Sequence, residues 1–396
     1  MEFDARQTLL IAVLVLFLGR YLNKKIKFLK AYNIPEPVTG GIIASICFSI
    51  FYFIFGETIK FALQERDVLL IVFFTCVGLS AKFSTLITGG KALITVLVLA
   101  VCYLILQNIT GVAVTLFTGL STAEGVLGGS VSLSGGHGTA IAWAPFFKEH
   151  FGIENAMEIG ITCATFGLIL GGVCGGPIAN YLIKRYQLSP SCKGNLSVGI
   201  KDEQEKITVH SIYSVILILC IAIGIGLQLH QIIDDIGIKL PVFVPCLFGG
   251  ILLTNTLPVI WKKLPWPTGS SSLALISDFC LGLFLAMSLM SLQLWALIDL
   301  ALPILLLLTA QVIMVIFFTI FIVFRALGKN YDAAVIASGY AGLALGATPT
   351  AIANMTAVTK KYGASPQAFI VVPLVGAFFI DLSNAFVIQF FISWLS

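Results

Sequence analysis

Long apolar runs constrain the fold of this chain more than any other feature. Of the 396 residues, 58% are hydrophobic and 11% are charged, which excludes a soluble globular domain. A helix needs about 20 apolar residues to cross a hydrocarbon core of about 30 Å, and most runs approach this length. The runs span roughly residues 7–22, 38–55, 68–81, 92–117, 157–183, 211–230, 241–260, 272–292, 300–324 and 367–393. We therefore expect an all-α polytopic membrane protein with about ten transmembrane helices.

Two Gly-rich polar segments, residues 128–139 and 342–354, interrupt this apolar pattern at a nearly constant offset. Backbone that is not helical lies at membrane depth only where protein or water satisfies its polar groups, so both segments should line a cavity. Helices that start at such a break point positive N-termini at an anion, and released carbonyls can hold a cation. Tight helix packing through small residues is the alternative explanation. The matched breaks predict one re-entrant loop in each half of the chain, with a transport site between them.

The two halves of the chain are similar in sequence. Residues 138–142 align with residues 349–353 at an offset of 211, and the Gly-Gly pairs at 40–41 and 249–250 also correspond. The polar stretch 187–206 separates the halves. We predict an N-terminal membrane repeat over 1–186, a cytoplasmic linker over 187–208 and a C-terminal repeat over 209–396. Five crossings in each half would invert the second repeat, the architecture of many secondary transporters.

The basic residues predict orientation. They are scattered between apolar runs and form no basic face, so we expect no nucleic-acid partner. If the N-terminus lies outside, most of the 23 lysines and arginines fall on the inner side, which predicts both termini outside. Glu2 and Asp4 precede the first run and a basic cluster follows it, so this run is expected to be a retained helix and not a cleaved signal.

Several chemical classes are disfavoured by missing motifs. The nine cysteines include no Cys-x-x-Cys pair, which argues against a disulfide framework or a metal cluster. The sequence has no P-loop, so ATP is not the direct energy source, and it has no motif of a metalloprotease or serine hydrolase. We expect a transporter, with no enzymatic activity and no cofactor. A channel would also use re-entrant loops, and uphill accumulation of substrate would separate the two classes.

The chain resembles the bacterial sodium/glutamate symporter family over essentially its whole length. The motifs that carry the resemblance are residues 34–38 (IPEPV), 133–139 (LSGGHGT), 163–168 (CATFGL), 328–335 (GKNYDAAV), 346–355 (GATPTAIANM) and 372–381 (VPLVGAFFID). The resemblance implies sodium-driven uptake of L-glutamate across the bacterial cytoplasmic membrane, two inverted five-helix repeats with re-entrant loops, and a homodimer with an elevator-like mechanism. The second loop lacks the Gly-Gly-x-Gly pattern of the first, so the two loops need not contribute equally.

Glutamate carries two carboxylates and one ammonium group, so its site needs donors for the former and an acceptor for the latter. We assign loop-tip amides and hydroxyls to the carboxylates, Asn354 to either end of the substrate, and a neutral, site-lining role to His137. The predicted substrate-binding residues are Ser134, Gly135, Gly136, His137, Gly138, Thr139, Thr348, Pro349, Thr350 and Asn354. On physical grounds alone, a dicarboxylate or another anionic amino acid is the alternative substrate.

Sodium, the expected coupling ion, is assigned to a second set of residues. Asp381 is the acid deepest in an apolar run, and Asn384 shares its helical face. Thr165 and Gly346 complete the predicted sodium set, and both lie in the motifs that carry the resemblance. A structural hydrogen bond between helices is the alternative role for Asp381.

Other polar residues inside the spans have two explanations each. Gln107, Asn108 and Gln311 are explained equally well by hydrogen bonds between helices and by ion binding. Asp67 and Asp278 lie near the starts of corresponding spans, where they are expected either to cap a helix or to contribute to an ion site.

Overall fold

The computed structural model of the protein describes residues 2–27, 29, 34–82, 90–190, 207–236, 240–260, 266–268, 270–294 and 300–395. Within these residues the regular secondary structure is helical apart from two short strands, β1 (Glu2–Phe3) and β2 (Lys60–Phe61), which pair in parallel. The α-helices are α1 (Ala5–Lys25), α2 (Glu36–Phe55), α3 (Gln64–Ser80), α4 (Gly90–Thr118), α5 (Thr122–Val126), α6 (Gly136–Phe151), α7 (Ala156–Tyr186), α8 (Val209–Asp235), α9 (Phe243–Ile260), α10 (Ser271–Met290), α11 (Ala301–Phe318), α12 (Phe324–Ala326), α13 (Tyr331–Leu345), α14 (Thr348–Tyr362), α15 (Pro366–Leu374) and α16 (Ile380–Leu395). Three π-helical turns, Leu127–Val131, Thr319–Val323 and Val375–Phe379, follow α5, α11 and α15.

The helices have the length and surface of a multi-pass membrane protein. Each predicted apolar run coincides with a helix, and among the described residues seven helices are long and apolar enough to cross a membrane. In α8 only a narrow stripe is buried, and Leu217 on the opposite face is 62% exposed. An outward face this apolar belongs in lipid rather than in water. The count of ten crossings stays a prediction, and most of the predicted linker, residues 191–206, lies outside the described residues.

The chain forms two compact units, and each draws on both halves of the sequence. Unit 1 comprises Met1–Leu29, Pro35–Ser84 and Gly199–Trp295. Unit 2 comprises Lys30–Ile34, Thr85–Val198 and Ala296–Ser396. The predicted boundaries of the repeats, at 186 and 209, divide the sequence and not these spatial units, so the repeat assignment stays a prediction.

Unit 1 is held together by close helix approaches at glycines, and the corresponding glycines of the two halves make corresponding contacts. The first glycine of each Gly-Gly pair lies against the preceding helix, and the second lies against the third helix of the other half. The four approaches are Gly40 to Val15, Gly249 to Ala222, Gly41 to Leu289, and Gly250 to Leu79. A side chain at any of these glycines would collide with the neighbouring helix, because the two backbones lie so close there. Small residues are what allow membrane helices to approach this closely.

The two acids near span starts do not cap their helices. Asp67 is the fourth residue of α3, whose N-cap is Leu63, and its carboxylate pairs with the Arg66 guanidinium at 2.6 Å. Asp278 lies well inside α10, which is capped by the hydroxyl of Ser270. The capping explanation is therefore wrong for both.

Unit 2 contains two helical hairpins that lie on one long helix, α7. Hairpin 1 (residues 122–151) consists of α5 with its π-turn, a break, and α6. A Cβ built on Gly160 of α7 would lie 3.6 Å from Leu127 on one arm of this hairpin and 3.1 Å from Ala140 on the other. Both arms therefore run along the same part of α7, in opposite directions.

Hairpin 2 (residues 331–362) consists of α13 and α14. The Tyr331 hydroxyl donates to the Gly363 carbonyl at 2.6 Å, which joins the two arms at their open end. Each arm has 15 residues and is about 22 Å long, less than the hydrocarbon thickness. The Tyr362 hydroxyl donates to Asn180 near the end of α7, whereas hairpin 1 leads directly into the start of α7. The two hairpins therefore approach the middle of α7 from opposite ends.

Candidate functional site

The tips of the two hairpins meet at the middle of α7. The Ser134 hydroxyl lies 3.1 Å from the Ala344 carbonyl oxygen. A Cβ built on Gly136 would lie 3.6 Å from the Gly346 carbonyl oxygen, and Gly136 has φ +66°, a conformation that favours glycine. These contacts bring together the two Gly-rich segments, 128–139 and 342–354.

Gly167 of α7 makes this meeting point possible. A Cβ at this position would collide with the Leu345 carbonyl oxygen of hairpin 2 and would lie 2.5 Å from Leu133 Cδ2 of hairpin 1. One turn further, a Cβ on Gly171 would lie 3.2 Å from Leu345 Cβ. Glycines four residues apart thus form a groove on α7 that holds both tips.

A fully buried amide ties the two tips together. Gln107 on α4 donates from Nε2 to the Ala344 carbonyl at 2.9 Å, and its Oε1 accepts from the Ser134 hydroxyl at 2.7 Å. Gln311 on α11 in turn donates to the Gln107 carbonyl at 2.8 Å. Both glutamines are fully buried. Hydrogen bonding between helices therefore accounts for Gln107, while the side-chain oxygen of Gln311 has no hydrogen-bond partner among the described residues.

Each hairpin tip presents an uncapped helix N-terminus. Helix α6 begins at Gly136 and helix α14 at Thr348, and neither has a side-chain cap on its first N–H groups. Pro349 occupies the first turn of α14, where its missing N–H costs no helical hydrogen bond. The free N–H groups and the helix dipoles place positive potential at the meeting point of the tips. An anion is the ligand that such a site favours.

The hydroxyl and imidazole groups near the tips differ in whether they have a hydrogen-bond partner. Thr165 donates to the Ile161 carbonyl at 2.8 Å, so its oxygen accepts from Nε2–H of His137 at 3.0 Å. This geometry places a proton on Nε2 of His137, and the site-lining role of this residue stays a prediction. Thr350 differs, because its hydroxyl is buried and has no hydrogen-bond partner among the described residues.

The His137–Thr165 contact has a counterpart in the other half. At the offset of 211, His137 corresponds to Thr348 and Thr165 to Gly376. A Cβ built on Gly376 would lie 2.5 Å from the Thr348 hydroxyl oxygen. Gly376 belongs to the π-turn that precedes α16, and π-turns are frequent at functional sites.

Asn354 lies further from the tips than the other predicted substrate residues. Its Nδ2 donates to the Gly171 carbonyl at 2.9 Å and lies 3.4 Å from the Ser338 carbonyl. The amide therefore joins both arms of hairpin 2 to α7. The other predicted residues of hairpin 1 lie at its tip (Gly135) and in the first turn of α6 (Gly138 and Thr139).

The predicted sodium residues occupy different surroundings. Asn384 is fully buried and donates from Nδ2 to the Ser130 carbonyl at 2.8 Å. Asp381, one turn earlier on α16, is half-buried and makes no hydrogen bond or ion pair with another described residue. Gly346 is buried at the tip of hairpin 2 and Thr165 is engaged with His137. Asn384 contacts hairpin 1 directly, whereas the structure gives Asp381 no partner.

Sequence reasoning left Ser130 out of the site. Its N–H donates to Asn108 Oδ1 at 2.8 Å, its carbonyl accepts from Asn384, and the residue is fully buried. The signal was present in the chain, because Ser130 is a polar residue in the first Gly-rich segment and Asn108 interrupts an apolar span. Only the fold brings the two residues into contact.

Two helical hairpins that meet tip to tip inside an apolar helical protein are typical of secondary transporters, which bind their ligands at broken helices. The comparisons agree. A family model for the sodium/glutamate symporter matches residues 1–364. The sodium/glutamate symporter of Haemophilus influenzae is 43% identical over 389 residues, which cover 97% of this chain and 96% of that protein. The Escherichia coli sodium/glutamate symporter is 42% identical over 403 residues, which cover 99% of this chain and 98% of that protein.

The chain belongs to the sodium/glutamate symporter family. It is a multi-pass membrane transporter and not an enzyme, and its coupling ion is sodium, with no enzymatic cofactor. The resemblance inferred from the sequence motifs is confirmed.

Proposed function

We propose that the protein drives uptake of L-glutamate with the sodium gradient, and that glutamate binds where the tips of hairpins 1 and 2 meet. The observation that carries this proposal is that two uncapped helix N-termini, at Gly136 and Thr348, lie where the two hairpin tips meet. Glutamate has two carboxylates, and two helix N-termini provide one donor group for each.

The individual contacts follow from the chemistry of the tips. The N–H groups at the start of α6 and the Thr139 hydroxyl serve one carboxylate, and the Ser134 hydroxyl, which donates to Gln107 Oε1, holds the tip in place beside it. The N–H groups of Thr348 and Thr350, with the Thr350 hydroxyl, serve the other. The unpartnered state of the Thr350 hydroxyl supports this role, since a buried donor without a partner is costly until a ligand accepts from it. Gly135, Gly136 and Gly138 allow close backbone approach, and His137, Pro349 and Asn354 complete the surroundings of the substrate.

Sodium is proposed to bind among Thr165, Gly346, Asp381 and Asn384, on the α7 and α16 side of the tips. The buried Asn384 amide next to hairpin 1 supports this location. A cation beside an anionic substrate lowers the free energy of the doubly loaded state, and this coupling acts equally on both ligands.

Transport requires alternating access to this site. We propose that unit 2, which carries both hairpins, moves as a body relative to unit 1 in an elevator-like step. The approach of the hairpins from opposite ends of α7 supports inverted five-helix repeats with re-entrant loops. The homodimer, the location in the bacterial cytoplasmic membrane and the outside location of both termini are further parts of the proposal. They rest on the resemblance and on the distribution of positive charge.

Proteoliposomes test the proposed function. Purified protein is reconstituted with an inward sodium gradient or a matched potassium gradient, and accumulation of radiolabelled L-glutamate is followed with unlabelled aspartate, dicarboxylates and glutamate as competitors. We expect uphill accumulation that requires sodium and is suppressed best by glutamate. Downhill flux that is indifferent to sodium would indicate a channel and contradict the proposal.

A further inference from the structure

Three buried side-chain oxygens, on residues in or beside the first arm of hairpin 1, have no hydrogen-bond partner among the described residues. They are Ser130 Oγ, Asn384 Oδ1 and Gln311 Oε1, and each residue has 0% of its surface exposed. A buried oxygen without a partner raises the free energy of the protein, so three such oxygens near one point are an arrangement that a ligand would stabilise.

Asn384 contacts the Gly129–Ser130 backbone directly, and Gln311 is linked to it through the Gln107 backbone carbonyl. Asn384 donates from Nδ2 to the Ser130 carbonyl at 2.8 Å. Gln311 donates to the Gln107 carbonyl, and that carbonyl oxygen lies 3.3 Å from the position of a Cβ built on Gly129. Both amides therefore use their N–H groups on backbone carbonyls around the break and leave their oxygens unused.

The backbone at this point is also arranged for a cation. Gly129 has φ −90° and ψ −124°, which interrupts the helical arm. The break comes at the C-terminal end of that arm, where the helix dipole is negative. A cation is the ligand that this end of a helix favours, just as an anion is favoured at the start of α6 a few residues later.

We propose that Ser130 Oγ, Asn384 Oδ1 and Gln311 Oε1 are ligands of a coupling sodium ion. This inference rests on the proposed function and makes it specific: one coupling ion lies at the first-arm break of hairpin 1, where Ser130 and Gln311 join Asn384 as ligands and Asp381 does not take part. Hydroxyl and amide oxygens suit a hard cation. Sites for divalent ions generally include carboxylates, and none of the three side chains carries a charge, so the set fits a monovalent ion.

The same geometry explains why sodium would require the substrate. A cation held only by neutral oxygens in a buried site is not neutralised by the protein. Ser134, which lies at the hairpin tip, is four residues from Ser130, so a glutamate carboxylate bound there would stand close to the ion. Each ligand then raises the affinity for the other. Asn108 accepts from the Ser130 N–H through its Oδ1, and its buried Nδ2 has no partner among the described residues. This Nδ2 is a donor suited to that carboxylate.

Ser130→Ala is the test variant, and Ser338→Ala is its matched control. Ser338 on α13 is also fully buried, and its hydroxyl also lacks a partner among the described residues. Neither substitution removes a hydrogen bond, so both variants should fold. The measurements are the sodium concentration that gives half-maximal glutamate uptake in proteoliposomes, and the rise in melting temperature of purified protein when sodium replaces choline.

We expect Ser130→Ala to raise the half-maximal sodium concentration at least about tenfold, comparable to the loss of even an indirect partner of a bound metal. It should also reduce the sodium-induced rise in melting temperature, while Ser338→Ala behaves like the wild type. Gln311→Met, which keeps the side-chain length and removes both the oxygen and the donor to the Gln107 carbonyl, should raise the half-maximal sodium concentration as well and also lower the melting temperature in choline.

Wild-type sodium responses in both Ser130→Ala and Gln311→Met would overturn the inference and leave the proposed function intact. Failure of the wild type itself to accumulate glutamate with sodium would contradict the proposed function. In that case the melting temperature of the wild type and of Ser130→Ala in sodium still decides whether the cation site exists.

Discussion

Gly167→Ala is the substitution that tests most sharply whether the two hairpin tips must meet on α7. The added Cβ would collide with the Leu345 carbonyl oxygen and would lie 2.5 Å from Leu133 Cδ2. Ordinary contact needs at least about 3.4 Å, so a tip must move by about 1 Å. The Leu345 contact is with backbone and cannot be relieved by a rotamer change. Overpacking of this kind costs about 1–3 kcal/mol.

If this strain falls on the substrate-bound state, the KM for L-glutamate should rise about 5- to 150-fold, because each 1.4 kcal/mol corresponds to a factor of ten. The assay is sodium-driven uptake in proteoliposomes at saturating sodium. Gly176→Ala is the matched control, since it lies on the same helix and a Cβ there has no described neighbour within 4 Å. It should leave KM unchanged and stabilise α7 by up to about 1 kcal/mol. A wild-type KM in Gly167→Ala would refute the meeting of the tips as the substrate site.

Three further substitutions separate binding from stability. Thr350→Val removes a hydroxyl that has no partner among the described residues, so we expect a raised KM for glutamate in uptake assays with a melting temperature equal to or above that of the wild type. Gln107→Leu leaves the Ala344 carbonyl without its donor and should lower the free energy of unfolding by about 1–3 kcal/mol and reduce uptake, as measured by thermal unfolding and transport of the same preparation. Asn354→Asp replaces the donor to the Gly171 carbonyl by an acceptor and should lower the melting temperature more than Thr350→Val does.

Much of the fold could be predicted from the sequence, because lipid imposes a simple rule on helix length and polarity. The apolar runs predicted where helices lie, and the two Gly-rich segments predicted the positions of both hairpin tips. The spatial units could not be predicted in this way, because each combines helices from both halves of the chain. The combination of helices from the two halves depends on contacts such as that of Gly41 with Leu289. In the sequence such a contact appears only as a glycine, with no indication of its partner.

The site was predictable in part, for a related reason. Loop residues such as Ser134 and Thr350 stand out as polar groups in Gly-rich segments. Gln107 and Gln311 also stand out as polar residues in apolar spans, but two roles explained them equally well. The structure separates these roles, since Gln107 uses both of its polar atoms on the hairpin tips while Gln311 has an unused oxygen. This distinction depends on which groups are close to each other in the folded protein, and the neighbouring residues in the sequence do not show that.

The most direct test of the account is equilibrium binding of L-glutamate to the purified protein by calorimetry, at several sodium concentrations with choline as the replacement cation. If both ligands share the buried region around the hairpin tips, glutamate affinity should rise with sodium, and sodium affinity should rise by the same factor when glutamate is present. Glutamate binding of equal affinity in sodium and in choline would contradict the claim that the two ligands bind as coupled partners in unit 2.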